Sequence, residues 1–299
     1  MIEKPVVGLG QCSWDLLGRV AEYPRVDVKA ELLDLTEQGG GPVATALVTL
    51  QRLGVQTSFF GTIGDDDYGK RIVTSLVAAG VDTKYVQVDR EGASQLSFIA
   101  VEQLQGRRNI FCHRGARRPF CLDAQAFQAV SAAAALLLDG TEPAAALEAA
   151  SLARACQVPV VLDGGTLRDG VWELLPHCDH LIVSRKFADQ ICPGQPDVAL
   201  DRLLEFGVEV AVVTLGASGC LALDRTGVRS KCPAFKVDVV DTTGCGDVFH
   251  GGYLYALLTG LSLPERLLFA AACAALKARQ LGGRQGIPSL AEVERLLAS

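Results

Sequence analysis

The residues best suited to chemistry stand together in the last quarter of the chain: Asp241, Thr242, Thr243, Gly244, Cys245, Gly246 and Asp247, followed by Val248, Phe249, His250, Gly251 and Gly252. After Asp247, residues Val248, Phe249, Tyr253, Leu254 and Leu257 recur at helical spacing, which places Gly244, Cys245 and Gly246 at a predicted helix N-terminus. The first amides of a helix have no intrahelical acceptor, and the helix dipole favours negative charge there. Glycines let such a backbone come close to a ligand. A carboxylate beside these donors suits one task in particular: taking the proton from a hydroxyl next to a phosphoryl group whose charge must be stabilised. The plainer alternative is a capped helix preceded by a glycine-rich turn.

Such a turn needs a scaffold, and the rest of the sequence supplies one. Short apolar runs at Val6–Leu9, 57–62, 136–139, 158–163, 180–183 and 208–214 alternate with helix-like stretches at 44–53, 70–79, 144–156 and 197–206. The runs are continuously apolar, as expected of parallel strands covered by helices on both faces. Segments 17–37 and 94–114 break the rhythm; they are more polar and predict a small sheet apart from the main one. Ligands of open α/β sheets bind beyond the carboxyl ends of the strands. Asp15, Asp139, Asp163, Ser184 and the stretch from Thr214 to Gly219 stand at such positions.

Composition limits the alternatives. The 299 residues are 49% hydrophobic and 21% charged, as in a globular protein with a substantial core. A formal net charge of -6 argues against nucleic acid as the main partner. The N-terminus enters its first apolar run directly, too soon for a signal-peptide core, so a cytoplasmic location is expected. No apolar run, 132–138 included, approaches the roughly 20 residues needed to span a bilayer, so no membrane partner is expected. Ten cysteines show no pair at zinc-site or redox-motif spacing, and reduced, mostly buried thiols are expected. Cys245 is the exception, because a thiol at a helix N-terminus has a lowered pKa when exposed.

The run from Asp241 to Gly252 resembles the C-terminal signature of the ribokinase-like (PfkB) carbohydrate kinases, with Cys245 where that family usually has Ala. The resemblance extends in order over nearly the whole chain. Gly8, Gly10 and Asp15 resemble the first strand and its sugar-binding Asp. Gly39, Gly40, Gly41 and Thr45 resemble the substrate-binding turn and helix, with Thr45 where most members have Asn. Gly61, Gly64, Asp67 and Gly69 match a largely structural turn. Thr214, Gly216 and Gly219 resemble the ATP-phosphate loop, and Ser184-Arg-Lys-Phe187 stands where many relatives have Asn-x-x-Glu.

This resemblance implies a ribokinase-like three-layer α/β sandwich over residues 1–299, with a mostly parallel central sheet and a small β-sheet lid from about 17–37 and 94–114. It implies ATP and Mg²⁺ as cofactors and a sugar as substrate. Asp247 would be the catalytic base, with Gly244, Cys245 and Gly246 holding the phosphoryl group. Asp15, Gly40, Gly41, Thr45 and Asp139 would bind the sugar, and Ser184, Lys186, Thr214, Gly216, Gly219 and Thr242 the nucleotide. A monovalent cation such as K⁺ would sit near Asp241 and Thr243. Alkylation of Cys245 would be suppressed by ATP, and dimerisation through the lid is expected.

Among named members, the chain particularly resembles bacterial 6-deoxy-6-sulfofructose kinases, through Gly39 to Pro42, 233–241 and the Gly282-Gly-Arg stretch; ketohexokinase-like members share the absence of Asn-x-x-Glu. Of the three sulfonate-binding residues in those kinases, Lys29 is retained, whereas Cys112 and Thr141 replace the other two. Arg114, Arg117 and Arg118 could supply substitute donors. The expected reaction is therefore ATP-dependent phosphorylation of a hydroxymethyl group on a ketose or related sugar. The alternatives are a sulfofructose kinase, a nucleoside kinase, disfavoured by 6% aromatics, and a non-catalytic sugar sensor. A dinucleotide oxidoreductase is disfavoured because the stretch after Gly10 lacks the third glycine and the immediate helix of that fingerprint.

Overall fold

A computed structural model describes residues 2–104, 106–115 and 118–298. In chain order its strands are β1 (Val6–Leu9), β2 (Ser13–Val20), β3 (Asp34–Gly40), β4 (Thr57–Gly64), β5 (Val86–Asp89), β6 (Leu96–Glu102), β7 (Arg108–His113), β8 (Ala135–Leu138), β9 (Val160–Gly164), β10 (His180–Ser184), β11 (Val210–Thr214), β12 (Cys220–Asp224) and β13 (Arg229–Cys232). The helices are α1 (Pro42–Arg52), α2 (Asp67–Ala78), α3 (Ala124–Ser131), α4 (Pro143–Ala155), α5 (Val171–Leu174), α6 (Arg185–Ile191), α7 (Pro196–Leu204), α8 (Cys245–Leu258), α9 (Leu263–Lys277) and α10 (Leu290–Leu297).

Nine strands form the main sheet in the order β13-β12-β11-β10-β9-β8-β1-β4-β5. From β11 to β5 the pairing is parallel, and β12 and β13 add an antiparallel edge. Side chains alternate between two cores. Val6, Ala135 and Leu137 face the layer of α1, α8 and α9, whereas Val7, Leu136 and Leu138 face the layer of α3, α4 and α7. Burial on both faces is why these strands read as unbroken apolar runs.

The helix starts use different devices. Asp66 caps α2 by accepting from the Gly69 amide, and Ser262 with Glu265 forms a capping box on α9. Helix α8 starts from Gly244, at φ 75°, with no side-chain cap at all. Its first amides are therefore left for something else.

The remaining four strands form a separate sheet, β3-β2-β6-β7. It begins earlier than expected, at Ser13, and so includes Asp15; residues 21–33 carry no strand. Leu17, Ile99 and Val101 are buried beneath it with Leu281, whereas Leu35, Phe98, Ile110 and Phe111 are exposed. All ten thiols are free; five are buried and two half-buried, whereas Cys112, Cys121 and Cys156 are exposed because they lie on an edge strand, in a loop and at a helix end.

The junction of the two sheets depends on glycine. A Cβ on Gly40 would stand 2.0 Å from the Asp15 carboxylate, and one on Gly41, at φ 93°, would stand 2.5 Å from the Gln11 carbonyl. Gly41→Ala is therefore expected to lower unfolding free energy by about 1–3 kcal/mol in urea titrations. An unchanged midpoint would show that the junction can relax.

Candidate active site

The turn before α8 is built on one buried carboxylate. Asp241 is fully buried; its Oδ1 accepts from the Thr243 amide at 2.8 Å and hydroxyl at 2.7 Å, and its Oδ2 accepts from the Gly282 amide at 2.8 Å. The Val240 and Asp241 amides both donate to the Ala278 carbonyl beyond the end of α9. Lys277, the last residue of α9, is also fully buried and donates to the Asp241 carbonyl at 2.8 Å. Gly244 passes so close to Gly283 that a Cβ would stand 2.7 Å from its Cα. The Cys245 amide donates back to the Thr242 carbonyl, whereas the Gly246 and Asp247 amides have no acceptor among the described residues. Gly246 is exposed and a Cβ on it would meet nothing within 4 Å, so there is room for a ligand beside this turn.

Asp247 stands in the first turn of α8, and burial raises its pKa, with the Asp139 charge adding to the shift. His250, Arg108 and Lys277 oppose it. His250 lies one turn on, with Nδ1 2.7 Å from the Gly246 carbonyl and 3.1 Å from Asp163 Oδ2, and Nε2 3.0 Å from the Ile182 carbonyl. Burial, reinforced by Asp247 and Asp139, pushes the Asp163 carboxyl up to about 7 against the pull of His250. A half-buried carboxylate with a raised pKa, beside two free helix amides, can accept a proton from a hydroxyl while the amides hold negative charge.

The small sheet forms the opposite wall. Asp15 on β2 accepts from the Ser13 hydroxyl at 2.8 Å and bonds Ser97, and burial raises its pKa. Arg284, from the loop after α9, joins both walls. Its amide donates to Gln38, and its guanidinium donates to the Gly40 carbonyl at 2.9 Å, the Thr45 hydroxyl at 3.3 Å and Ser75 at 3.3 Å. Burial lowers its pKa to about 10, against the attraction of Asp15. The hydroxyl of Thr45 is thus engaged by Arg284, and Thr45 itself is buried.

Asp139 acts as a clamp. Its carboxylate accepts from the Gln11 amide at 2.8 Å and from the amide and hydroxyl of Thr141, tying the end of β8 to the loop after β1. Toward the antiparallel edge, Ser184 caps α6 and donates to the Gly165 carbonyl, and Lys186 is exposed beside it. Thr214 closes β11, Gly216 faces open space, and a Cβ on Gly219 would collide with the Cys232 carbonyl. Thr242 connects the two sheets by accepting from Arg108 of β7 at 2.6 Å.

The residues considered for a sulfonate or further sugar contact lie on different elements. Lys29 is exposed in the 21–33 loop, Cys112 is exposed on β7, Thr141 is bonded to Asp139, and Arg114 and Arg118 are exposed; Arg117 lies outside the described residues. Cys245 departs from expectation: it is half-buried, and burial raises its thiol pKa more than Lys277 and Arg108 lower it. Asp241 and Thr243 are bonded to each other with a buried ammonium beside them, an arrangement that does not fit an added monovalent cation. Lys277, Arg284 and Arg108 were not singled out from sequence. The one available signal was Lys277 itself, a lone charge late in the Ala- and Leu-rich run of α9.

The chain matches the pfkB family of carbohydrate kinases over residues 4–290. It is 28% identical to 5-dehydro-2-deoxygluconokinase of Shouchella clausii over 315 aligned positions, covering 98% of this chain and 95% of that one. It is 27% identical to the ribokinase of Bacillus subtilis over 296 positions, covering 97% of this chain and 98% of that one. The ribokinase of Arabidopsis thaliana, solved with ribose and ATP, superposes with a TM-score of 0.87 at 24% identity over 99% of each chain, a likeness of fold.

Asp163 holds its proton more tightly in the folded chain than in the unfolded one. Its contribution to stability is therefore present below pH 3.8 and lost as the pH rises through about 7. The stability of wild type relative to Asp163→Asn, measured by urea unfolding, should fall over that interval. A difference that rises with pH would contradict the assignment.

Proposed function

The chain belongs to the pfkB family of carbohydrate kinases and is an ATP-dependent sugar kinase; on that premise we propose that Asp247 activates a hydroxymethyl group of a ketose or related sugar for attack on the γ-phosphoryl of ATP. The observation that carries this reading is the Asp247 carboxylate beside the unpartnered Gly246 and Asp247 amides at the uncapped start of α8, with open space around Gly246.

The sugar lies between the two sheets, against Asp15 and the Gly40 and Gly41 backbone, with Arg284 fixing Thr45 behind them. The phosphate chain runs from the 214–219 loop, past Ser184, Lys186 and Thr242, to the uncapped start of α8. Asp247 accepts the hydroxyl proton, the new O–P bond forms as the bond to the ADP oxygen breaks, and the free amides hold the charge of the transferring group. The raised pKa of Asp247 makes it a stronger base than an exposed carboxylate.

Mg²⁺ fits this site as an ion carried in by the nucleotide. Phe187 is fully buried where many relatives have Glu, and no group of three or more metal-ligating side chains occurs among the described residues. Asp163, whose Oδ2 makes only the 3.1 Å contact with His250, and Asp247 are the carboxylates that would hold it. Bound there, it would neutralise charge on the phosphates. The small sheet acts as a lid through the contacts of Arg108 with Thr242 and of Arg284 with Gly40. Its exposed Leu35, Phe98 and Phe111 support dimerisation with a second copy. A cytoplasmic location is consistent with the fact that no described helix is long and apolar enough to cross a membrane.

The relatives' names point to two different acceptors, a dehydro-deoxygluconate and ribose. The sulfofructose alternative loses support because Cys112 and Thr141 replace two charge-assisted donors and the Thr141 hydroxyl is engaged by Asp139. The test is ATP consumption with ketoses, aldopentoses, nucleosides and 6-deoxy-6-sulfofructose. Asp247→Asn is expected to lower kcat by about 10²–10⁴-fold with ATP binding retained. The acid limb of the wild-type pH profile should lie above the ordinary carboxylate range. Near-wild-type turnover by the variant would overturn the assignment of the base.

A further inference from the structure

The turn that carries the free amides hangs between the start of α8 and the end of α9, and Lys277 is the unusual residue there. It is among the largest fully buried side chains of the molecule. A buried ammonium is costly unless it has an electrostatic partner. Lys277 donates to the Asp241 carbonyl at 2.8 Å, and Asp241, Asp247 and Cys245 are the groups whose negative forms attract it, whereas Arg108 repels it. Lys277 also ends α9, where the helix dipole favours a cation. The carboxylate that a free cation would seek is already engaged by Thr243 and Gly282.

We propose that the Lys277 ammonium is the resident monovalent cation of this turn, and that the protein neither needs nor accommodates a free potassium ion there. The side chain does by covalent attachment what a bound ion would otherwise do: it draws the Asp241 carbonyl toward the end of α9 and so sets the position from which Gly244 enters the next helix. A second unit charge beside it would be repelled, and the 282–284 loop closes over the same place through the Gly282 amide and the contact of Gly283 with Gly244. The inference rests on the turn used in the proposed reaction, but its first readout needs no turnover.

The experiment compares melting temperature and ATP-dependent sugar phosphorylation in KCl, NH₄Cl and choline chloride at equal ionic strength, for wild type and Lys277→Ala. Wild type should melt at the same temperature in all three salts, and its rate should vary by less than about twofold. The variant should melt lower and turn over roughly tenfold or more slowly in choline chloride, the scale of one lost charge-assisted hydrogen bond. K⁺ and NH₄⁺, but not choline, should restore part of both losses. A wild-type melting temperature or rate that depends specifically on K⁺ would overturn the proposal. So would a variant as stable and active as wild type in choline, or a variant with wild-type circular dichroism that neither cation rescues. If no sugar is turned over, the wild-type melting comparison still decides.

Discussion

The site depends on keeping the start of a helix uncapped. Amides at a helix N-terminus are normally satisfied by a side chain or by water, and a turn that leaves them empty needs support from elsewhere. Here the support is the buried carboxylate of Asp241, which draws donors from its own turn and from the loop after α9, while Lys277 takes its carbonyl. Gly244 can then enter the helix at positive φ with its Cα against Gly283. A carboxylate buried without such donors would cost several kcal/mol, so the cluster holds together or fails as a unit.

The same arrangement governs the charge balance. Asp247, Asp163, Asp139 and Asp15 lie in one cleft, and burial raises the pKa of each. Arg108, Lys277, Arg284 and His250 oppose those shifts from different elements. Two of these groups also tie the small sheet to the main domain, Arg108 through Thr242 and Arg284 through Gly40 and Thr45. Movement of the small sheet would therefore alter both solvent access and the charge felt by Asp247. On the proposed mechanism, that would couple opening of the cleft to the strength of the base.

Much of this was legible from the sequence, for local reasons. The run from Asp241 to Asp247 is contiguous, and its glycines and carboxylate mark a helix start directly. The apolar runs identified the main strands because parallel strands are buried on both faces. The small sheet was placed a few residues late because Ser13, Trp14 and Asp15 alternate in polarity and do not form an apolar run. Cys245 was misjudged because position at a helix end favours a thiolate, whereas burial, which spacing does not report, opposes it. Asp139 was recognised as a strand-end carboxylate, but its bonds to Gln11 and Thr141 depend on the crossing of distant loops. The contacts of Lys277 and Arg284 were not legible, although Lys277 stands out as a late charge in α9 and Arg284 belongs to the Gly282-Gly-Arg stretch. Their partners lie 36 and more than 200 positions away, and no periodicity connects them.

The most direct test of the central claim is the structure of the protein with ADP, aluminium fluoride and a phosphorylated substrate's parent sugar, since the fluoride anion occupies the place of a transferring phosphoryl group. The account predicts the anion within hydrogen-bond distance of the Gly246 and Asp247 amides, with a sugar hydroxyl between it and the Asp247 carboxylate. An anion bound away from the start of α8, or a sugar hydroxyl directed at Asp163 or Asp139 and not at Asp247, would contradict it.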